Sequence, residues 1–204
     1  MIKKNYLEKL RDKNKPFIIY KSTKGFDLYT DFSKKIILNN SNIKNFLNKI
    51  DKKKGSKKID LFIGFFGYEI LNNLIGVKLS KQKGLKFPKG IFYKPETKVN
   101  LNNKLIYKNK KKNKLNNEFK ININQKKYNR IFNNFKKKIQ QGLTYQIKIC
   151  TKYRNKSKID PIDFFCRLSK TNLAPEAFLI KDKNFSIISC SPENLLTKKG
   201  NFIS

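Results

Sequence analysis

The stretch DPIDFFCRLSKTNLAPEAFLIKDKNFSIISCSPENLL, residues 160–196, decides the fold class. Asp160 followed by Pro161 is a helix start: the aspartate suits the cap, and a proline at the first helical position lacks only an amide that would have no partner there. Asp163, three residues after the cap, adds favourable charge to the first turn. Ile162, Phe165 and Leu168 then give the helix one apolar face. Ala177 to Ile180 and Phe185 to Ser189 read as two strands, joined by the charged turn Lys181-Asp182-Lys183-Asn184. A helix feeding a strand pair makes the chain mixed α/β.

Upstream of this stretch, Leu143 to Arg154 alternates apolar and polar residues, the period of a strand with one buried face. Before it, Tyr128, Ile131, Phe132, Phe135 and Ile139 line one face of a helix, with Lys126, Lys127, Lys136 and Lys137 on the other and Gly142 placed to stop it. The first half reads as short strands at Pro16–Lys21, Phe26–Thr30 and Lys35–Leu38, divided by Gly25 and an Asp31-Phe32-Ser33 turn. Ser41 caps a helix bearing Ile43, Phe46, Leu47 and Ile50. Leu61 to Phe66, without a polar side chain, reads as a buried strand that runs through Gly67 into a short amphipathic helix, Tyr68 to Leu74. GIFYKP, KLIYK and EFKIN, between Gly90 and Asn124, are further strand-like pieces, and Lys52–Lys58 and Lys108–Asn117 are polar, solvated connections. A last strand begins around Asn201. The composition shift places a domain boundary near Asn124.

The 204 residues carry 48 Lys+Arg against 14 Asp+Glu, a net charge of +34 that taken alone points to nucleic acid or an anionic surface. Of those cations 44 are lysine and only Arg11, Arg130, Arg154 and Arg167 are arginine, while Asn and Ile are abundant and Val and Ala scarce. A/T-rich codons produce that skew throughout a proteome. A phosphate-gripping groove favours the bidentate arginine fork, so a basic nucleic-acid-binding module is the weaker reading. The 17 Phe and 9 Tyr supply a core, which excludes disorder along the whole length. With no histidine, acid–base chemistry falls to carboxylate, Lys, Tyr or Cys. Cys150, Cys166 and Cys190 form no CxxC pair and read as buried free thiols in a reducing cytoplasm. The opening MIKKNYLEKLRDK, broken by charges, is no signal-peptide core, and the longest uncharged apolar stretch is too short to span a bilayer, so no membrane role is expected.

Four motifs occur in order: GFFGYEI (64–70), IQQGLTYQIKICTKY (139–153), DPIDFFCRLSKTNLAPEAFL (160–179) and ISCSPENLL (188–196). In this order and at these separations the chain resembles the chorismate-utilising enzymes, component I of anthranilate synthase and of 4-amino-4-deoxychorismate synthase. Tyr145-Gln146 and Ala174-Pro175 lean towards the second, the para-aminobenzoate branch of folate biosynthesis. The resemblance implies layered antiparallel sheets flanked by helices, an α+β arrangement. It implies an N-terminal region over 1–124 and the beginning of a chorismate-binding domain over 125–204. It also implies a cytoplasmic enzyme that binds chorismate with magnesium (Mg2+) and takes ammonia from a partner glutamine amidotransferase.

Glu193, in SPE, matches the family's general acid/base at the departing ring hydroxyl. Burial can raise a carboxyl pKa until it donates a proton near neutrality. Ser22, Phe26, Pro175, Glu176 and Ala177 match the region where the family holds tryptophan, as inhibitor in one branch and bound ligand in the other. Ordinary strand packing is the competing account of those five. Leu143, Lys148, Leu173 and Asn194 depart from the family pattern. The family's lysine nucleophile and acidic metal ligands are expected beyond Ser204, so on this reading the 204 residues are a catalytically incomplete fragment. The anthranilate branch is the enzymatic alternative.

Overall fold

Strand β1 (Phe17–Ser22, FIIYKS) presents apolar side chains in both directions, and the computed structural model buries both of its faces. The structure describes residues 6–22, 24–51, 59–70, 75–76, 87–101, 105, 107, 118–191, 196–199 and 202–203. By internal contacts the chain forms two units, Met1–Lys108 with Pro161–Ser204, and Asn109–Asp160.

In the first unit, β1 pairs antiparallel with β2 (Gly25–Ile37) on one side and with β7 (Glu176–Lys181) on the other. With β3 (Ile63–Phe66), β4 (Gly90–Asn100) and β8 (Ser186–Ser191) they make a six-stranded sheet in the order β3-β4-β2-β1-β7-β8. The expected antiparallel α+β architecture is therefore present. Phe17, Ile19, Leu28, Ala177 and Leu179 pack on one face beneath Leu7 and Leu10 of α1 (Tyr6–Asp12) and Ile162 and Phe165 of α4 (Pro161–Thr171). Phe165 meets Phe26 edge-on, ring centres 6.3 Å apart.

On the other face Ile18 and Ile180 pack with Ile91 and Tyr93, although β4 lies two strands away from β1 in the sheet order. The sheet curls to close that gap. The bend sits where the sequence predicts an Asp31-Phe32-Ser33 turn. Asp31 does take positive φ (52°), but the chain continues as one strand, and the register shifts between Phe32 and Lys34. The turn residues make a bulge, which re-aims a strand without ending it.

A third cluster joins Ile43 and Phe46 of α2 (Ile43–Asp51) to Leu38, Ile70 and Phe92. Asn39 rather than Ser41 organises the start of α2: its Oδ1 accepts from the Ser41 and Asn42 amides at 3.0 Å each. Of the buried strand expected over Leu61–Phe66, only Ile63–Phe66 is strand, and it is a partly exposed edge strand beside β4. Gly64 is required there, since a Cβ would run into the Ile91 carbonyl. The pair β9 (Lys198–Lys199) and β10 (Phe202–Ile203) forms a short ladder, in place of the lone last strand expected. Of the amphipathic helix Tyr68–Leu74 only 68–70 is described, and it is helical. The connections 52–58 and 108–117 lie outside the described residues.

In the second unit, α3 (Gln125–Gln140) starts at Asn124, whose side chain accepts the Lys127 amide at 2.9 Å. It ends as expected: Gly142 takes φ 71° and donates to the Ile139 carbonyl. The strand expected over Leu143–Arg154 is a correction. Only β6 (Tyr153–Arg154) pairs, with β5 (Lys120–Ile121), while Leu143 and Tyr145 are 70% and 90% exposed. Alternation supplies one apolar face, but a strand also needs a ladder partner, and 143–152 has none among the described strands.

Candidate functional site

Register puts the residues matched to the tryptophan region at one end of the sheet. Lys21 pairs with Phe26 on β2 and with Ala177 on β7, and Ala177 pairs with Cys190 on β8. Directly paired residues share a face, and successive residues alternate. Phe26, Lys21, Ala177 and Cys190 therefore form one row on the face beneath α4, whereas Ser22 and Glu176 belong to the opposite face. Phe26 and Ala177 are buried among core side chains, so strand packing accounts for them. Pro175 is exposed, and Ser22 and Glu176 are half-buried. The five residues are neighbours but do not line one common space.

The face that holds Ser22 and Glu176 is the more polar. Glu176 pairs with Ser191, and Tyr20, two residues from Ser22, pairs with Asp27. Burial, reinforced by a hydrogen bond to the Glu176 carboxylate, pushes the Tyr20 hydroxyl up to about 12. Asp27 holds Lys98 at 2.9 Å and accepts from Asn100 at 3.1 Å. The Asp27 hydrogen bond raises Lys98 above the ordinary lysine range. Charged and hydroxyl groups thus form a half-buried shelf above the apolar cluster of Ile18, Phe178 and Ile180. Such a shelf can hold a small polar ligand by its ammonium or hydroxyl groups.

On the core-facing row, Lys21 escapes burial by extending its ammonium to the Ala174 carbonyl at 3.0 Å. Burial raises the Cys190 thiol, and Lys21 opposes the shift. Tyr20, Lys21 and Asp27 were not singled out from sequence. Only strand register joins them to Glu176, and nothing in their local patterns announces it. Of the three cysteines expected to be buried, Cys166 is buried, Cys190 is half-buried and Cys150 is exposed, the last because its segment has no sheet to cover it.

Glu193 lies outside the described residues. Among the described residues no group of three His, Cys, Asp or Glu side chains gathers to hold a metal ion. Among them, too, no helix is long and apolar enough to cross a membrane.

The curled antiparallel sheet with helices packed on it is the α+β arrangement that the resemblance implies. Comparison with protein-family models matches residues 3–204 to the chorismate binding enzyme model, and the chain belongs to that family. None of the curated proteins compared with the chain matches it.

Proposed function

We propose that this chain is component I of aminodeoxychorismate synthase, or the part of it that begins the chorismate-binding domain. In this reading it replaces a ring hydroxyl of chorismate with ammonia delivered by a glutamine amidotransferase, in the cytoplasm, for para-aminobenzoate and folate synthesis. The family match over residues 3–204 carries the chorismate part. Tyr145-Gln146 and Ala174-Pro175 support the para-aminobenzoate branch over the anthranilate branch. Glu193 is assigned as the acid/base that protonates the departing hydroxyl, because a carboxyl group with a raised pKa can do this near neutrality and the chain has no histidine. The net charge of +34 draws the doubly anionic substrate towards the protein. Ser22 and Glu176, the half-buried members of the tryptophan-region set, are the ones proposed to touch an amino-acid effector.

The test is product analysis. Protein expressed from its complete reading frame is supplied with chorismate, magnesium and ammonium ion. Aminodeoxychorismate without pyruvate supports the proposal; anthranilate with pyruvate overturns the branch. Glu193→Gln is expected to lower turnover at least a hundredfold with unchanged thermal unfolding, and a near-normal rate removes its role.

A further inference from the structure

Two of the three thiols belong to one core cluster. Cys166 of α4 is buried in it, and Cys190 of β8 packs against it. The row Phe26, Lys21, Ala177 and Cys190 crosses β2, β1, β7 and β8 on the face beneath α4, with Phe26 at one end and Cys190 at the other.

Helix geometry turns Cys166 towards the Cys190 end of that row. Ile162 and Ser169 mark the middle of the buried face of α4. At 3.6 residues per turn Phe165 lies about 50° to one side of that middle and Cys166 about 50° to the other. Phe165 meets Phe26, so its flank of the helix is the β2 side. The flank that carries Cys166 is therefore the β8 side, and α4 does pack on β7 and β8. Ala177, the neighbour of Cys190 in the row, brings only a methyl group, which lets the helix approach the sheet there.

We propose that Cys166 and Cys190 are a redox pair that closes to a disulfide under hydrogen peroxide and fastens α4 to β8. The Cys190 thiolate, favoured by the Lys21 ammonium, attacks one peroxide oxygen; the O–O bond breaks, hydroxide leaves, and the sulfur becomes a sulfenic acid. The Cys166 thiol then attacks that sulfur. The S–S bond forms, the S–O bond breaks, and the hydroxyl departs as water with the Cys166 proton. Two thiols are oxidised by two electrons in all, and one peroxide is reduced to two waters. Glu193 follows Cys190 by three residues, so the bond tethers the strand that leads into the SPE motif. The pairing does not rest on the chorismate reading, because its test reads the bond and not turnover.

Cys150→Ser removes the third thiol and leaves only the pair. Treated with hydrogen peroxide, this variant is expected to lose two hydrogens in mass, to show no free thiol in denaturant and to stay monomeric. Peptide mapping is expected to find residue 166 joined to residue 190, and dithiothreitol to restore both thiols. The oxidised chain is expected to unfold at a higher temperature than the reduced one, since the bond constrains the unfolded chain. Cys166 lies in the core, so the deciding measurements keep both members of the pair, and Cys190→Ser serves as the control in which the mass loss disappears. Two thiols that survive peroxide overturn the proposal, as does a sulfinic acid or an intermolecular disulfide in place of the internal bond. So does an oxidised chain that unfolds at a lower temperature, which would mean that the bond forms only by distorting the fold.

Discussion

The Tyr93 hydroxyl donates to the carboxylate of Asp182, joining β4 to the turn after β7 across 89 positions of sequence. Asp182 is 2% exposed, and its carboxylate also receives Lys35 at 2.5 Å and the Lys183 amide at 2.6 Å. A turn that reads in sequence as a charged connection is thus fastened into the curl of the sheet.

Removing that charge is expected to loosen the curl. Asp182→Asn should destabilise the fold by about 2–4 kcal/mol, because Tyr93 and Lys35 lose an ionic acceptor in a buried place. Burial works to raise the Asp182 pKa, but Lys35, Tyr93 and the Lys183 amide outweigh it and hold the carboxyl below the ordinary range. The folded state therefore binds fewer protons than the unfolded one as Asp182 titrates. Its contribution is complete above about pH 4 and fades as pH falls through the lower folded value. Thermal unfolding at neutral pH and near pH 3 checks both points: the difference between wild type and Asp182→Asn should shrink in acid.

Tyr20 provides an alkaline counterpart. Its hydroxyl pKa is raised to about 12, so its share of the stability is complete below the unfolded value of about 10 and is lost as pH rises from there to about 12. Ultraviolet titration of tyrosinate is expected to show a late-ionising group that moves towards 10 in Glu176→Gln. An unchanged late group would show that Glu176 does not act on Tyr20.

Gly64 is expected to tolerate no side chain. Its Cβ position meets the Ile91 backbone, which cannot swing away as a side chain can. Gly64→Ala should either cost about 2–3 kcal/mol in denaturant unfolding or detach β3, exposing its amides with Ile63–Phe66 to faster hydrogen exchange. A silent substitution would mean that β3 does not pair with β4 in this register.

Phe165 is fully buried against Phe26 and anchors α4 on the sheet. Phe165→Ala should destabilise by about 3–5 kcal/mol in chemical unfolding, and Phe165→Leu by much less. Equal losses for the two would show that the site depends on the aromatic contact and not on filled volume.

These contacts mark where sequence reading succeeds and where it stops. β1 is legible because Pro16–Lys21 is rich in strand-forming residues and Gly25 marks the turn that follows. The helix from Pro161 and the β7–β8 pair are legible because cap, stripe and turn all lie within a few residues of one another. Leu143–Tyr153 shows the limit, since its alternation is as regular as any in the chain but a ladder needs a neighbour that period alone cannot supply. Asp31-Phe32-Ser33 shows another, because the residues that suit a turn also suit a bulge. At the candidate site, Ser22 and Glu176 were reached through motif resemblance. Tyr20 and Asp27 needed the register of strands about 150 residues apart in sequence. Glu193 rests on its motif.

The central place of β1 has a consequence for how the chain is made. Its β2 neighbour follows within a few residues, but its β7 neighbour begins only at Glu176. At ribosomal speeds of roughly 5–20 residues per second, one edge of FIIYKS is left open for about 10–30 s, with the whole Asn109–Asp160 unit emerging in between. During that interval a strand from the middle of the sheet is a template for any passing strand. A chaperone that shields residues 17–22 until Glu176–Lys181 arrives is therefore expected to raise the yield of folded protein.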